Sequence, residues 1–170
     1  LNSCYVALDQ HVAAGRGDQP ALIYDSPVTG EIEHFTYAQL LEKTAIIAGG
    51  LVDLGVAKGD VVVIYMPMVP ETVTAMLACA RIGAIHSVVF GGFAPRELAM
   101  RIDDANPRVV LAASCGIEVD RVIAYQPLLN EAIDLAEHKP DHVVMLQRQQ
   151  CEATLSMPRD IDWYAWECQA

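Results

Sequence analysis

Two kinds of apolar spacing alternate along the chain. Val61-Val62-Val63-Ile64-Tyr65 is continuously apolar and mostly β-branched, too uniform for a strand with one wet face, so it predicts a strand covered on both sides. Ala84 to Phe90, Arg108 to Ala113 and His142 to Leu146 repeat that character. Between these strands the apolar residues recur at helical spacing. One helix is expected to start near Pro70, whose fixed φ suits a first turn, with Glu71 complementing the dipole and Gly83 closing it after Arg81. Others are expected from about Arg96 to Ala105 and from Val122 to Glu137. Buried strands alternating with helices predict the α/β class, a mainly parallel sheet flanked by helices and joined by right-handed crossovers. The roughly 24-residue beat reflects βα units rather than a solenoid repeat.

The first third reads differently. Tyr5, Val6, Leu8, Val12 and Ala13 fit one face of a helix from Asn2 to Ala14, which Gly15-Arg16-Gly17-Asp18 breaks. Ala21 to Asp25 and Glu31 to Thr36 then predict a short hairpin around Ser26-Pro27-Val28-Thr29-Gly30. Thr36 with Gln39 has the spacing of a capping box, opening a helix from Tyr37 to Leu54 that Gly55 ends.

Composition narrows the function classes. At 170 residues, 53% hydrophobic and 19% charged, the chain can build a sizeable core, as one domain or a large piece of one. Eleven basic against 22 acidic side chains leave a formal charge of −11, which argues against nucleic acid or an acidic membrane surface as a partner. Pro67, Pro70, Glu71, Arg81 and His86 keep every apolar stretch short of the roughly 18 residues a membrane span needs. With Asp9 and His11 early, the amino end does not read as a signal peptide. Five cysteines, an odd number without CxxC, read as reduced thiols and a cytoplasmic location, or the mitochondrial matrix in a eukaryote. Cys79, between alanines on a helix, reads as a small buried hydrophobe. Leu1 at the start and the unfinished pattern WYAWECQA at the end read as cut ends.

Ligands of open α/β sheets bind beyond the carboxyl ends of the strands, which places Met66-Pro67-Met68, Phe90 to Pro95 and Ser114 to Arg121 on one edge. Gly91 and Gly92 lack a Cβ, so their amides have room to approach a phosphate or ring, while Phe90 or Phe93 offers a stacking face. The plainer alternative is a tight turn between two packed phenylalanines. Other groups point less clearly to chemistry. His138 and His142 flank Pro140, which breaks the helix that metal-ligand spacing needs, so a polar turn is expected. His86, within a strand, reads as a hydrogen-bonded core histidine, and adjacent Asp103 and Asp104 as a solvated face. Met66, Met68 and Met76 fit core filling or an acyl pocket; Trp163 and Trp166, three apart, share a helix face and read as packing.

The wording VVVIYMPMVPETVTAMLACARIGAIHSVVFGGFAP, from Val61 to Pro95, resembles the AMP-forming short-chain acyl-CoA synthetases of the adenylate-forming enzymes, and the match runs from Leu1 to about Trp166. LNSCYVALDQHV, IYDSPVTG, FTYAQL and YQPLL look most like the propionyl-CoA synthetase branch, with acetyl-CoA synthetase next. The resemblance implies that residues 1–16 end an N-terminal segment and that 17–170 form the first, incomplete part of the AMP-binding domain. It implies a ligase that activates propionate or acetate with ATP and Mg and passes the acyl group to coenzyme A. By that resemblance Phe90, Gly91 and Gly92 contact the coenzyme and Arg121 meets its phosphates, whereas Glu118 stands where acetyl-CoA synthetases commonly have an arginine.

The family's Ser/Thr/Gly-rich phosphate loop ending in Lys does not occur here. Lys43, Lys58 and Lys139 are the only lysines, and no GxxxxGK[ST] is present. The expectation is therefore an amino-terminal part, inactive alone and missing the carboxy-terminal portion of its own domain. The alternative is a non-catalytic truncated module for coenzyme A binding or assembly. A dinucleotide-binding oxidoreductase is disfavoured, because the loop is not GxGxxG.

Overall fold

A computed structural model describes all 170 residues. Its centre is a five-stranded, wholly parallel sheet of order β4-β3-β5-β8-β9. These strands are β3 (Val61–Met66), β4 (Ile85–Phe90), β5 (Val109–Ala113), β8 (His142–Leu146) and β9 (Asp160–Asp162). The aliphatic runs take its middle: β5 is buried at every position and β3 at all but its first. Helices α2 (Pro70–Ile82), α3 (Pro95–Ala105), α4 (Tyr125–Leu135) and α5 (Trp163–Glu167) follow β3, β4, the β5 region and β9. Pro70 occupies the first turn of α2, and Gly83 ends it in the left-handed region at φ 76°.

Before the sheet come the antiparallel pair β1 (Pro20–Ser26) and β2 (Glu31–Thr36), then α1 (Tyr37–Asp53). The capping box is formed: Gln39 N–H donates to Thr36 Oγ1 at 3.3 Å, and Thr36 N–H donates to Gln39 Oε1 at 2.9 Å. The amino-terminal residues coil into wide helical turns, Tyr5–Asp9 and Val12–Arg16, seated by a satellite core of Cys4, Leu8 and Leu40. Asn2 Nδ2 donates to the carbonyl of Ala80 at 2.9 Å, satisfying an end of α2 that the helix itself cannot. Arg81 and Asp9 pair at 3.0 Å beside it. No helix is long and apolar enough to cross a membrane.

Several expectations are corrected. The helix expected from Val122 to Glu137 begins only at Tyr125, because Arg121–Ala124 is strand β7, paired antiparallel with β6 (Cys115–Glu118). Val122 and Ile123 are β-branched and gain a partner strand, and Pro127 is tolerated in the first turn of α4, where an N–H has no intrahelical acceptor. The stretch Ser114 to Arg121 is thus mostly hairpin. Strand β4 is an edge: Ile85 is 55% and Val88 50% exposed, and His86 is exposed instead of lying in the core. β9 had no counterpart among the predicted elements, and α5 only the helix face expected for its two tryptophans. Trp163 and Trp166 do share a helix face; both are buried, edge to face at 5.6 Å, and a Cβ on Gly50 of α1 would lie 2.6 Å from the Trp166 indole. His138 is held in its turn, with its N–H donating to Asp103 Oδ1 at 2.9 Å and its ring 2.8 Å from the Pro107 carbonyl.

Candidate functional site

At the carboxyl ends of β3 and β4, the chain leaves the sheet through Pro67-Met68-Val69 and Gly91-Gly92, while β5 passes at Ser114 into the β6–β7 hairpin. The ends of β3 and β4, the β6–β7 hairpin and, from the β1–β2 hairpin, Tyr24, Ser26 and Val28 line a groove of about 300 Å³ with mostly apolar walls, at the lower end of the size range of small-molecule sites. Met66, Met68, Val88, Phe90 and Ile117 supply those walls, and Glu118 and Arg148 are its charged members. Met66 is buried in the core, whereas Met68 is 78% exposed at the rim.

Two tyrosines that the sequence had not marked hold the glycine corner. Tyr65, the polar-tipped residue near the end of β3, is wholly buried, and its register sets it between Val89 of β4 and Ala112 of β5. Its hydroxyl accepts the Gly92 N–H at 3.1 Å and donates to the Phe93 carbonyl at 3.4 Å. Burial pushes this phenol up to about 12, so it keeps the proton that the second bond uses. Tyr125, at the start of α4, lies with its ring 5.0 Å from that of Tyr65. Its N–H donates to the Ser114 carbonyl at 2.9 Å, anchoring it to the end of β5. Burial first, and then the Glu118 charge, push its phenol up as well.

The tyrosine pair changes what the glycines mean. A Cβ on Gly91 would stand 2.6 Å from Tyr125 Cζ, and one on Gly116 would overlap the same hydroxyl and stand 2.9 Å from Cε1. Gly91 and Gly116 are therefore small because a ring lies on them. Gly92 is glycine for another reason, its φ of 91°. A signal for the tyrosines existed only as an aromatic hydroxyl at the end of an otherwise aliphatic strand, and a Tyr-Gln-Pro opening a helix.

Of the residues named from sequence, Phe90 and Gly91 line the groove. Phe90 turns outward, 69% exposed, tilted 55° to Phe93 with centroids 6.2 Å apart. Gly92 lies behind them, its missing side chain 3.3 Å from Glu118 Oε1. Arg121 is off the groove, on the hairpin, with a side chain 76% exposed and 3.8 Å from Glu118 Oε2. That distance and exposure make a weak, solvent-screened pair. Between Glu118 and Arg121 the turn carries Val119 at φ 56°, a position that hairpins normally give to Gly, Asn or Asp. Arg148 faces the groove from beyond β8, donating through Nη1 to the Cys115 carbonyl at 3.0 Å. Its other neighbour is a smaller polar hollow, about 150 Å³, bordered by Glu31, Glu33 and Glu71. Burial pushes the Glu71 carboxyl up. No three His, Cys, Asp or Glu side chains converge where a metal ion could sit.

Comparison with known proteins gives the family. The profile described as AMP-binding enzyme matches residues 9–167. An uncharacterized protein of Pseudomonas aeruginosa is 61% identical over 163 residues, which are 96% of this chain and 26% of that protein. Acyl-CoA synthetase short-chain family member 3, mitochondrial, of Homo sapiens is 53% identical over 96% of this chain and 24% of its own length. The acetyl-coenzyme A synthetase of Streptomyces coelicolor is 45% identical over 96% and 25%. A crystal structure of Brucella canis acyl-CoA synthetase superimposes with a TM-score of 0.79 over 100% of this chain and 28% of that one; at 24% identity this likeness speaks for the fold. The chain spans about a quarter of the length of the curated relatives it matches. With a family profile running through nearly all of it, and short-chain acyl-CoA and acetyl-CoA synthetases among its relatives, this chain belongs to the AMP-binding enzyme family.

Proposed function

We propose that the chain is the coenzyme-facing amino-terminal part of a short-chain acyl-CoA synthetase acting on propionate or acetate. Residues 1–16 close an N-terminal segment and 17–170 begin the adenylating domain. In the whole enzyme a carboxylate oxygen attacks the α-phosphorus of ATP and pyrophosphate leaves; the thiol of coenzyme A then attacks the acyl carbon and AMP leaves. Magnesium is expected to enter as the complex with ATP. This chain contributes to the second half. Phe90 offers a ring face, Gly91 and Gly92 a corner without side chains, and Arg121 an exposed guanidinium for phosphate.

The observation that supports this reading best is the outward Phe90 beside the glycine corner, at the mouth of an apolar groove beyond the strand ends. Against a formal charge of −11, an anionic coenzyme has to be met by local cations, and Arg121 and Arg148 are two at this edge. Isothermal titration with coenzyme A, using NAD as the control dinucleotide, tests it. Saturable binding of the first and none of the second is expected; equal or absent binding refutes it. Lacking a phosphate loop, the chain alone is expected to release no pyrophosphate from ATP and propionate. Propionate-dependent release would refute that part. The second reading, an assembly module, draws on the exposed apolar edge of β4. It requires a concentration-dependent increase in mass on sedimentation.

A further inference from the structure

The glycine corner is built from separate stretches of chain, and two tyrosine side chains bridge them. Tyr65 comes from β3, Tyr125 from the start of α4, and the glycines they touch lie after β4 and within β6. The Tyr65 hydroxyl takes the Gly92 N–H and gives its own proton to the Phe93 carbonyl, so both polar groups on the inner side of the loop are already paired. Gly92 therefore does not present its N–H to a ligand. Tyr125 fills the side-chain spaces of Gly91 and Gly116, wedging the β4 exit against the hairpin that carries Glu118 and Arg121.

We propose that Tyr65 and Tyr125 are positioning residues for the coenzyme: the Tyr65 hydroxyl fixes the path of Gly92 and Phe93, and the Tyr125 ring fixes Gly91 relative to the hairpin, so that Phe90 stands outward before ligand arrives. The inference rests on the coenzyme reading above and adds to it the groups that set the geometry. Because the loop is shaped by internal bonds, ligand binding has little ordering left to do, and preorganisation of that kind appears as affinity. Tyr65 contributes through one hydroxyl. Tyr125 contributes through the body of its ring.

The test pairs two hydroxyl deletions in the 170-residue chain, Tyr65→Phe and Tyr125→Phe, each leaving the ring in place. Coenzyme A affinity is read by calorimetry, the Gly92 amide by NMR hydrogen exchange and the fold by urea unfolding. Tyr65→Phe is expected to speed Gly92 exchange and to weaken coenzyme A about fivefold, the worth of one neutral hydrogen bond. Tyr125→Phe is expected to bind within a factor of two of wild type, as the ring remains. A merely structural role for Tyr65 would lower the urea midpoint and leave the affinity of the folded protein untouched; that result overturns the proposal. Equal loss of affinity in the two variants overturns the division between hydroxyl and ring. Failure of the wild-type chain itself to bind coenzyme A overturns the functional reading, and this inference with it, and is told apart by the absence of any wild-type heat.

Discussion

Alanine at Gly116 is the most informative single methyl that can be added to this protein. Gly116 sits in β6 without a positive φ, so alanine meets no backbone penalty and the substitution isolates packing. Its Cβ would overlap the Tyr125 hydroxyl and stand 2.9 Å from Cε1, closer than real Cβ contacts come. The ring has little room to yield, since Gly91 lies against its other edge, Tyr65 packs beside it, and the residue is only 4% exposed. Overpacking of a filled site costs about 1–3 kcal/mol, and the confinement places Gly116→Ala toward the upper end. Tyr125→Leu removes the distal ring atoms and by itself should cost on the order of 2 kcal/mol. In the double variant the added methyl meets empty space. The sum of the single costs is then about 5 kcal/mol and the measured cost about 2, a coupling well outside the few tenths expected of independent sites. Urea unfolding followed by circular dichroism, with a constant m-value, reads all four proteins. Strict additivity, or a Gly116→Ala midpoint indistinguishable from wild type, would refute the packing account.

Other consequences are simpler to check. Val119→Gly should raise the urea midpoint, because relieving a β-branched residue at φ 56° returns about 1 kcal/mol, less the entropy glycine loses on folding. Glu71 has its folded-state pKa raised, by burial first, so it opposes folding once pH climbs past the ordinary carboxylate value and is neutral in its effect below it. Glu71→Gln is accordingly expected to stabilise the protein at pH 7 and to lose that advantage as pH falls below the ordinary value; a pH-independent gain would contradict the cause. Native alkylation with iodoacetamide should label exposed Cys168 and half-buried Cys151, sparing Cys4, Cys115 and Cys79, whose thiol burial pushes up to about 12. Mass spectrometry gives the count. Asp160, fully buried, accepts from Arg159 Nε at 2.6 Å and from Ser156 N–H at 2.8 Å, so Asp160→Ala should cost about 2 kcal/mol in unfolding by leaving those donors unpaired.

What the sequence disclosed follows from how local each signal is. The runs at Val61, Arg108 and His142 announced β3, β5 and β8, because strands covered on both faces select for unbroken β-branched residues. The capping box and Gly83 were legible because caps are contacts between near neighbours in the chain. β4 shares the β-branched character of β3 but carries His86 and Ser87, and it is an edge; the aliphatic positions report that a surface prefers cover, not where the cover stands. The hairpin 115–124 was hidden because four-residue strands carry too few positions for a period, and Val122 with Ile123 also fits a helical face. Within the site, the glycine pair was visible and its reason was not. Gly91 and Gly116 answer to one ring at position 125, and Gly92 to a φ of 91° in a loop tied to a hydroxyl 27 residues back, none of which any local pattern encodes.

The central claim is that coenzyme A meets this chain at the Phe90–Phe93 corner and the hairpin beside it. Hydrogen exchange read by mass spectrometry, with and without millimolar coenzyme A, tests that claim directly. The account predicts slower exchange in peptides covering residues 90–95 and 116–121 and no change in α5, which lines no part of the groove. Slowing confined to other segments, or none anywhere under conditions where calorimetry records binding, would contradict it.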